Sequence, residues 1–136
     1  MLKKIIAMLM AAVMSVACLG TVAFADGVMP RYVYATNCES NLSISDSTAT
    51  CTSKATGKVG QTTKIVIEQT LQKQTTSGSW SSVASWSKTA ASRTCTATNT
   101  KSSLSSGTYR LKSVFYVYEG VNYEQITVYS SIVTKS

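Results

Sequence analysis

Across residues 38–136, apolar and polar positions alternate with a period of two in short runs, and clusters of Gly, Ser, Asn and Asp separate one run from the next. Such alternation puts one side of a segment in a core and the other in water, so each run predicts a half-buried strand. Beyond residue 25 no stretch shows the three-to-four spacing of an amphipathic helix. Seven strands are predicted. The first covers 41–45, with Leu42 and Ile44 inward. An Asp46-Ser47 turn leads to the second, 49–55, whose inner side is Ala49, Cys51, Ser53 and Ala55. After a loop at 57–60, the third strand, 63–72, turns Ile65, Ile67 and Leu71 to the core, with Lys64, Val66, Glu68 and Thr70 on the other side. A polar linker at 75–79 precedes the fourth strand, 80–88, where Trp80, Ala84 and Trp86 share one parity and both tryptophans are read as core residues. The fifth, 93–99, opposes Cys95 and Ala97 to Thr94, Thr96 and Thr98. The last two, 108–118 and 123–133, read as a hairpin around Gly120-Val121, because glycine at the first loop position suits a type II′ turn.

Seven short strands at this spacing predict an all-β, immunoglobulin-like antiparallel β-sandwich. The run Leu104-Ser105-Ser106-Gly107-Thr108-Tyr109-Arg110-Leu111 resembles the approach to the sixth strand of such sandwiches, where a buried tyrosine bonds nearby backbone. Leu111 stands where antibody domains carry their second cysteine. The usual disulfide between the sheets therefore cannot form, although Cys51 is suitably placed on the second strand.

The first 25 residues are a separate block: Lys3 and Lys4, then an apolar or small stretch over 5–24, then Ala23-Phe24-Ala25 before Asp26. This is a signal-peptide layout, with a short apolar helix for the translocon and small residues at Ala23 and Ala25 for cleavage ahead of Asp26. An uncleaved anchor helix and a lipoprotein site at Cys18 are the alternatives. Ser15 stands where lipoprotein sites carry an aliphatic residue. The expected organisation is a signal peptide at 1–25, an N-terminal extension at 26–37 and the sandwich at 38–136. No later apolar run is long enough to cross a bilayer and the C-terminus carries no wall-sorting signal, so the mature chain is expected to be secreted and extracellular, without membrane insertion.

Composition narrows the chemistry. Of 13 Lys and Arg, Lys3 and Lys4 leave with the signal, so 11 stand against 6 Asp and Glu and the mature net charge is +5. That balance favours loose attraction to anionic polymers without naming one. The chain has no histidine, which removes the commonest general base and zinc ligand and any Ser-His-Asp arrangement. Its carboxylates, Asp26, Glu39, Asp46, Glu68, Glu119 and Glu124, are scattered and form no acidic motif. No zinc-knuckle spacing, phosphate-binding glycine loop, EF-hand loop or basic-aromatic RNA motif occurs. The expectation is a non-enzymatic protein with no cofactor, no metal and no nucleic-acid partner. Three cysteines remain after cleavage, Cys38, Cys51 and Cys95. Outside the cell they allow one disulfide with one thiol left over, or three buried apolar side chains. A Cys51–Cys95 bridge is one physical option, since the second and fifth strands of such sandwiches are neighbours.

One surface has the makings of a site. With Gly120-Val121 as the loop, Tyr118 faces Tyr123, Tyr116 faces Gln125 and Lys112 faces Tyr129, with Arg110 beyond. Arg110, Lys112, Tyr116, Tyr118, Tyr123 and Tyr129 then share the outward face of the last hairpin. Tyrosine offers an apolar ring and a polar tip, which suits stacking on sugar rings or docking a protein chain. Cross-strand aromatic pairs also stabilise an exposed sheet.

Lys64-Ile65, Ile67, Leu71-Gln72-Lys73, Trp80, Val83, Trp86-Ser87, Gly107, Tyr109-Arg110, Val117-Tyr118, Glu124 and Ser130, in this order, resemble a family of small secreted Gram-positive (Firmicutes) proteins. The resemblance covers 38–133 and implies a secreted β-sandwich; the family has no assigned function. It also implies a Cys38–Cys51 bridge, while Cys95 is outside its pattern. The leading expectation is an extracellular interaction module that binds a cell-envelope glycan or protein. The alternative is a secreted cationic antibacterial protein, which would draw on the charge of +5 but lacks a visible membrane-active helix.

Overall fold

A computed structural model of the chain describes residues 32–136. The signal peptide with its helix, and the cleavage residues Ala23, Ala25 and Asp26, lie outside the described residues. Eight strands follow: β1 Ala35–Ser45, β2 Thr48–Gly57, β3 Lys64–Gln74, β4 Trp80–Ala90, β5 Thr94–Lys101, β6 Gly107–Glu119, β7 Asn122–Tyr129 and β8 Val133–Lys135. They form two antiparallel sheets, β1-β2-β5 and β4-β3-β6-β7, with β8 pairing with β6 beyond the end of β7. The second strand thus lies between the first and fifth, and the third between the fourth and sixth, which is the strand order of an immunoglobulin-like sandwich.

Where the chain departs from simple alternation, the cause is local. The first strand starts at Ala35 instead of residue 41, because Glu124 on β7 accepts the backbone N–H groups of Val33 (2.7 Å), Tyr34 (2.8 Å) and Ala35 (3.3 Å). Those bonds tie the incoming chain across the sandwich, and Tyr32 and Tyr34 pack on the core there. The last strand is split: the Lys112–Tyr129 pairing gives way to Tyr109–Val133, one residue out of step. Ser130 spans the break. Its Oγ accepts the Leu111 N–H at 2.8 Å while its own N–H donates to the Leu111 carbonyl at 2.9 Å. The Gly120-Val121 hairpin forms as expected, with Gly120 at φ 64 and its N–H on Thr63 Oγ1 at 3.0 Å.

The core has two apolar parts. One contains Ile65, Ile67, Phe115, Val117, Ala55, Cys38 and Cys95; the other contains Cys51, Leu71, Leu104, Tyr109, Leu111 and Ala49. A polar belt crosses between them, with one side chain from each of five strands. Ser40 Oγ meets Ser113 Oγ at 2.8 Å, Ser113 Oγ meets Ser53 Oγ at 2.6 Å, Gln69 Nε2 donates to Ser53 Oγ at 2.7 Å, and Asn99 Nδ2 donates to Gln69 Oε1 at 2.7 Å. Gln69 Nε2 also lies 3.2 Å from the Cys51 carbonyl and 3.3 Å from that of Ala97. Among the described residues no buried side-chain polar atom lacks a partner. A satisfied network of this kind penalises strand slippage, since any shift would bury unpaired polar groups.

The tyrosine of the sixth strand behaves as expected. Tyr109 is buried and its hydroxyl donates to the Ser105 carbonyl at 2.7 Å. Gly107, at φ 155, lets the chain pass Lys73, whose Cε would lie 2.5 Å from any added Cβ. Tyr109→Phe removes only the hydroxyl and is expected to lower unfolding stability by about 1–2 kcal/mol, read by urea denaturation. No measurable change would mean that the bond contributes nothing.

The disulfide expectation is corrected. Cys38, Cys51 and Cys95 are all buried free thiols. Cys38 and Cys95 flank Ala55 from its two sides, so two strand spacings, about 9–10 Å, separate them. Cys51 lies opposite Leu42 and Asn99, four positions along from Cys38 and from Cys95, about 13 Å in each case. A disulfide requires Cα atoms within about 7 Å, so neither the Cys38–Cys51 nor the Cys51–Cys95 bridge can close in this fold. The thiols serve as small apolar side chains, and Cys51 shares its cluster with Leu111, the residue at the antibody cysteine position.

Candidate functional site

The six candidate side chains lie on the outward face of the β4-β3-β6-β7 sheet. The register matches the expected pairing, with Tyr118 opposite Tyr123, Tyr116 opposite Gln125 and Lys112 opposite Tyr129. That placement follows from parity: Tyr109, Leu111, Ser113, Phe115 and Val117 on β6 are buried, so Arg110, Lys112, Tyr116 and Tyr118 must point away. The face holds two groups instead of one continuous patch.

Near the hairpin end, Tyr123 packs edge-on against Tyr116 with ring centroids 5.8 Å apart and tilted against Tyr118 at 5.2 Å. Lys64 Nζ sits 4.2 Å from the centre of the Tyr118 ring. The Tyr116 hydroxyl donates to Glu68 Oε1 at 3.4 Å. Desolvation, then the Glu68 carboxylate, push the Tyr116 phenol above its ordinary range. Tyr123, 53% exposed, is the ring most open to a ligand.

Eight residues along β6, about 26 Å from Tyr118, Arg110 forms the second group. Its guanidinium carbon lies 4.3 Å from the Trp80 ring centre and 4.1 Å from that of Tyr129. Nε donates to Gln72 Oε1 at 2.8 Å. Lys112 is the neighbouring outward residue on β6.

Trp80 belongs to this site and not to the core, which corrects the sequence expectation. Along β3–β4 the pairing passes from Leu71–Ala84 to Gln72–Ser82, so Val83 is an extra residue on β4. One inserted residue reverses the side on which everything beyond it points. Ala84 and Trp86 therefore stay on the core side, where Trp86 and Val83 pack on the second cluster, while Trp80 turns outward onto Arg110. Lys64, Glu68 and Gln72 also join the face. The sequence already placed Lys64 and Glu68 on the outer side of the third strand; what it lacked was their closeness to particular tyrosines.

Among the described residues no three His, Cys, Asp or Glu side chains gather as a metal-binding group, and no helix is long and apolar enough to cross a membrane. What the face can do chemically is present rings, hydroxyls and cations to a ligand lying along the sheet. Compared with known proteins, the chain matches no family model and no curated protein.

Proposed function

We propose that the mature chain is a secreted, non-enzymatic interaction module that binds a cell-envelope glycan or a protein through the outward face of the β4-β3-β6-β7 sheet. The observation that carries this reading is the gathering of Tyr116, Tyr118, Tyr123, Tyr129, Trp80, Lys64, Arg110 and Lys112 on one open side of the fold. Aromatic rings with cations beside them suit both sugar stacking and protein docking. Secretion is supported by the charged, apolar, small-residue order of 1–25, and membership of the Gram-positive family is proposed on the shared residues.

Changing Tyr116, Tyr118 and Tyr123 together to serine tests it. Screening against an envelope-glycan array and whole bacterial cells is expected to find a ligand for the wild-type chain and none for the triple variant. The cost in stability should be a few kcal/mol, from the lost cross-strand pairs. Unchanged binding by a folded triple variant would reduce the tyrosines to sheet stabilisers. The antibacterial alternative rests on net charge; growth inhibition of neighbouring bacteria by the purified chain would replace the binding reading.

A further inference from the structure

The geometry points to the Arg110 end of this face as a site for an anionic oxygen group, which makes the ligand an acidic glycan; the inference rests on the binding face proposed above. Arg110 is half-buried. Trp80 reaches its guanidinium from the β4 side and Tyr129 from the β7 side, and Gln72 holds Nε. Among the described residues its two terminal nitrogens have no hydrogen-bond partner, so their four N–H groups remain as a fixed fork. A guanidinium immobilised by stacked rings and one edge bond has already lost much of its rotamer freedom, which lowers the entropic cost of gripping a carboxylate or phosphate.

Charge supports the same occupant. A partly desolvated cation is costly without a counter-charge, and burial is the main influence on this guanidinium, lowering its pKa. Among the described residues the nearest side-chain carboxylate on the face, Glu68, lies four positions along β3 from Gln72, about 13 Å, and is engaged by Tyr116. Lys112, two positions from Arg110 and opposite Tyr129, adds a second positive charge about 7 Å along the strand. The adjoining outward residues, Gln72, Thr70, Ser82 and Ser85, are uncharged hydrogen-bonding groups. Two cations with no carboxylate partner among the described residues, rings beside them and hydroxyls and amides around them complement a sugar chain bearing carboxylate or phosphate groups.

The test measures binding of the secreted protein to three probes at low ionic strength: polygalacturonate, poly(glycerol phosphate) and neutral dextran. The wild type is expected to bind at least one acidic polymer about tenfold or more tightly than dextran, and to weaken as salt is added. Which acidic probe binds distinguishes a carboxylate from a phosphate source. Arg110→Lys keeps the charge but loses the fork, and is expected to weaken acidic binding about tenfold or more. Lys112→Gln should weaken it less and flatten the salt dependence. A folded Arg110→Lys that binds as the wild type overturns the proposal, as does a wild-type chain that binds neither acidic polymer. Should Arg110→Lys fail to fold, the salt dependence of the wild type and the Lys112→Gln result decide. Binding of dextran or of a protein that the tyrosine triple variant abolishes, with Arg110→Lys unaffected, leaves the face reading standing while this one falls. Acidic binding that needs Arg110 but not the tyrosines confines the site to the Arg110 end of the face and reduces the hairpin tyrosines to sheet stabilisers.

Discussion

Replacing Gln69 with leucine is expected to lower unfolding stability by about 2–4 kcal/mol, although the two side chains are of similar size and the site is closed to water. Gln69 is the bridge of the polar belt. It joins Ser53 and Asn99 through bonds of 2.7 Å each and approaches the carbonyls of Cys51 and Ala97, so one substitution removes hydrogen bonds to two of the three strands of the opposite sheet, β2 and β5. Ser53 would keep Ser113, and the two carbonyls would keep their places in the β2–β5 ladder, so the loss stops short of a full desolvation penalty for every partner. Urea denaturation followed by tryptophan fluorescence measures it. A cost below about 0.5 kcal/mol would mean that the belt is incidental to stability. Gln69→Ala should cost more, because it adds a cavity to the same lost bonds.

Stability is also expected to fall steeply above about pH 9. Burial pushes the Cys51 thiol up to about 11 and raises Cys95, against the pull of Lys88. Burial, then the charges of Glu124 and Glu39, drive Cys38 well above the ordinary range. In the unfolded chain each thiol ionises near about 8.5. Above that pH the unfolded chain releases protons that the folded chain retains, so the stabilisation is fully present below the unfolded value and is lost as pH rises through the folded one. The slope is on the order of 1 kcal/mol per pH unit for each thiol in that window. Urea titrations at about pH 8 and about pH 10.5 should show the loss, and Cys51→Ala should make it shallower. The same buried thiols should ignore a thiol reagent in the folded protein and all react in urea. A reactive thiol in the folded chain, or stability that does not change with alkali, would contradict the packing described.

The period-two pattern determined the middles of the strands, their buried sides apart from Trp80, and the last hairpin, because each depends on neighbours in the chain and on the two-sided geometry of a pleat. Tyr118 opposite Tyr123 and the Tyr109–Ser105 bond were legible for that reason: a short loop or a four-residue reach leaves few arrangements open. Gln69 shows the limit. It has the parity of Ile65, Ile67 and Leu71, yet a polar side chain breaks the apolar alternation, and only the opposite sheet supplies the partners that allow it to be buried. Trp80 shows another, since alternation assigns it to the core until a bulge at Val83, set by pairing with β3, reverses its side. Nor could the cysteines be paired by strand adjacency, because a bridge depends on where along neighbouring strands two residues fall. Local pattern thus decided which side chains a strand offers inward and outward wherever no bulge intervenes. Register between distant strands decided which of them meet, because that is settled by the packing of one sheet against the other.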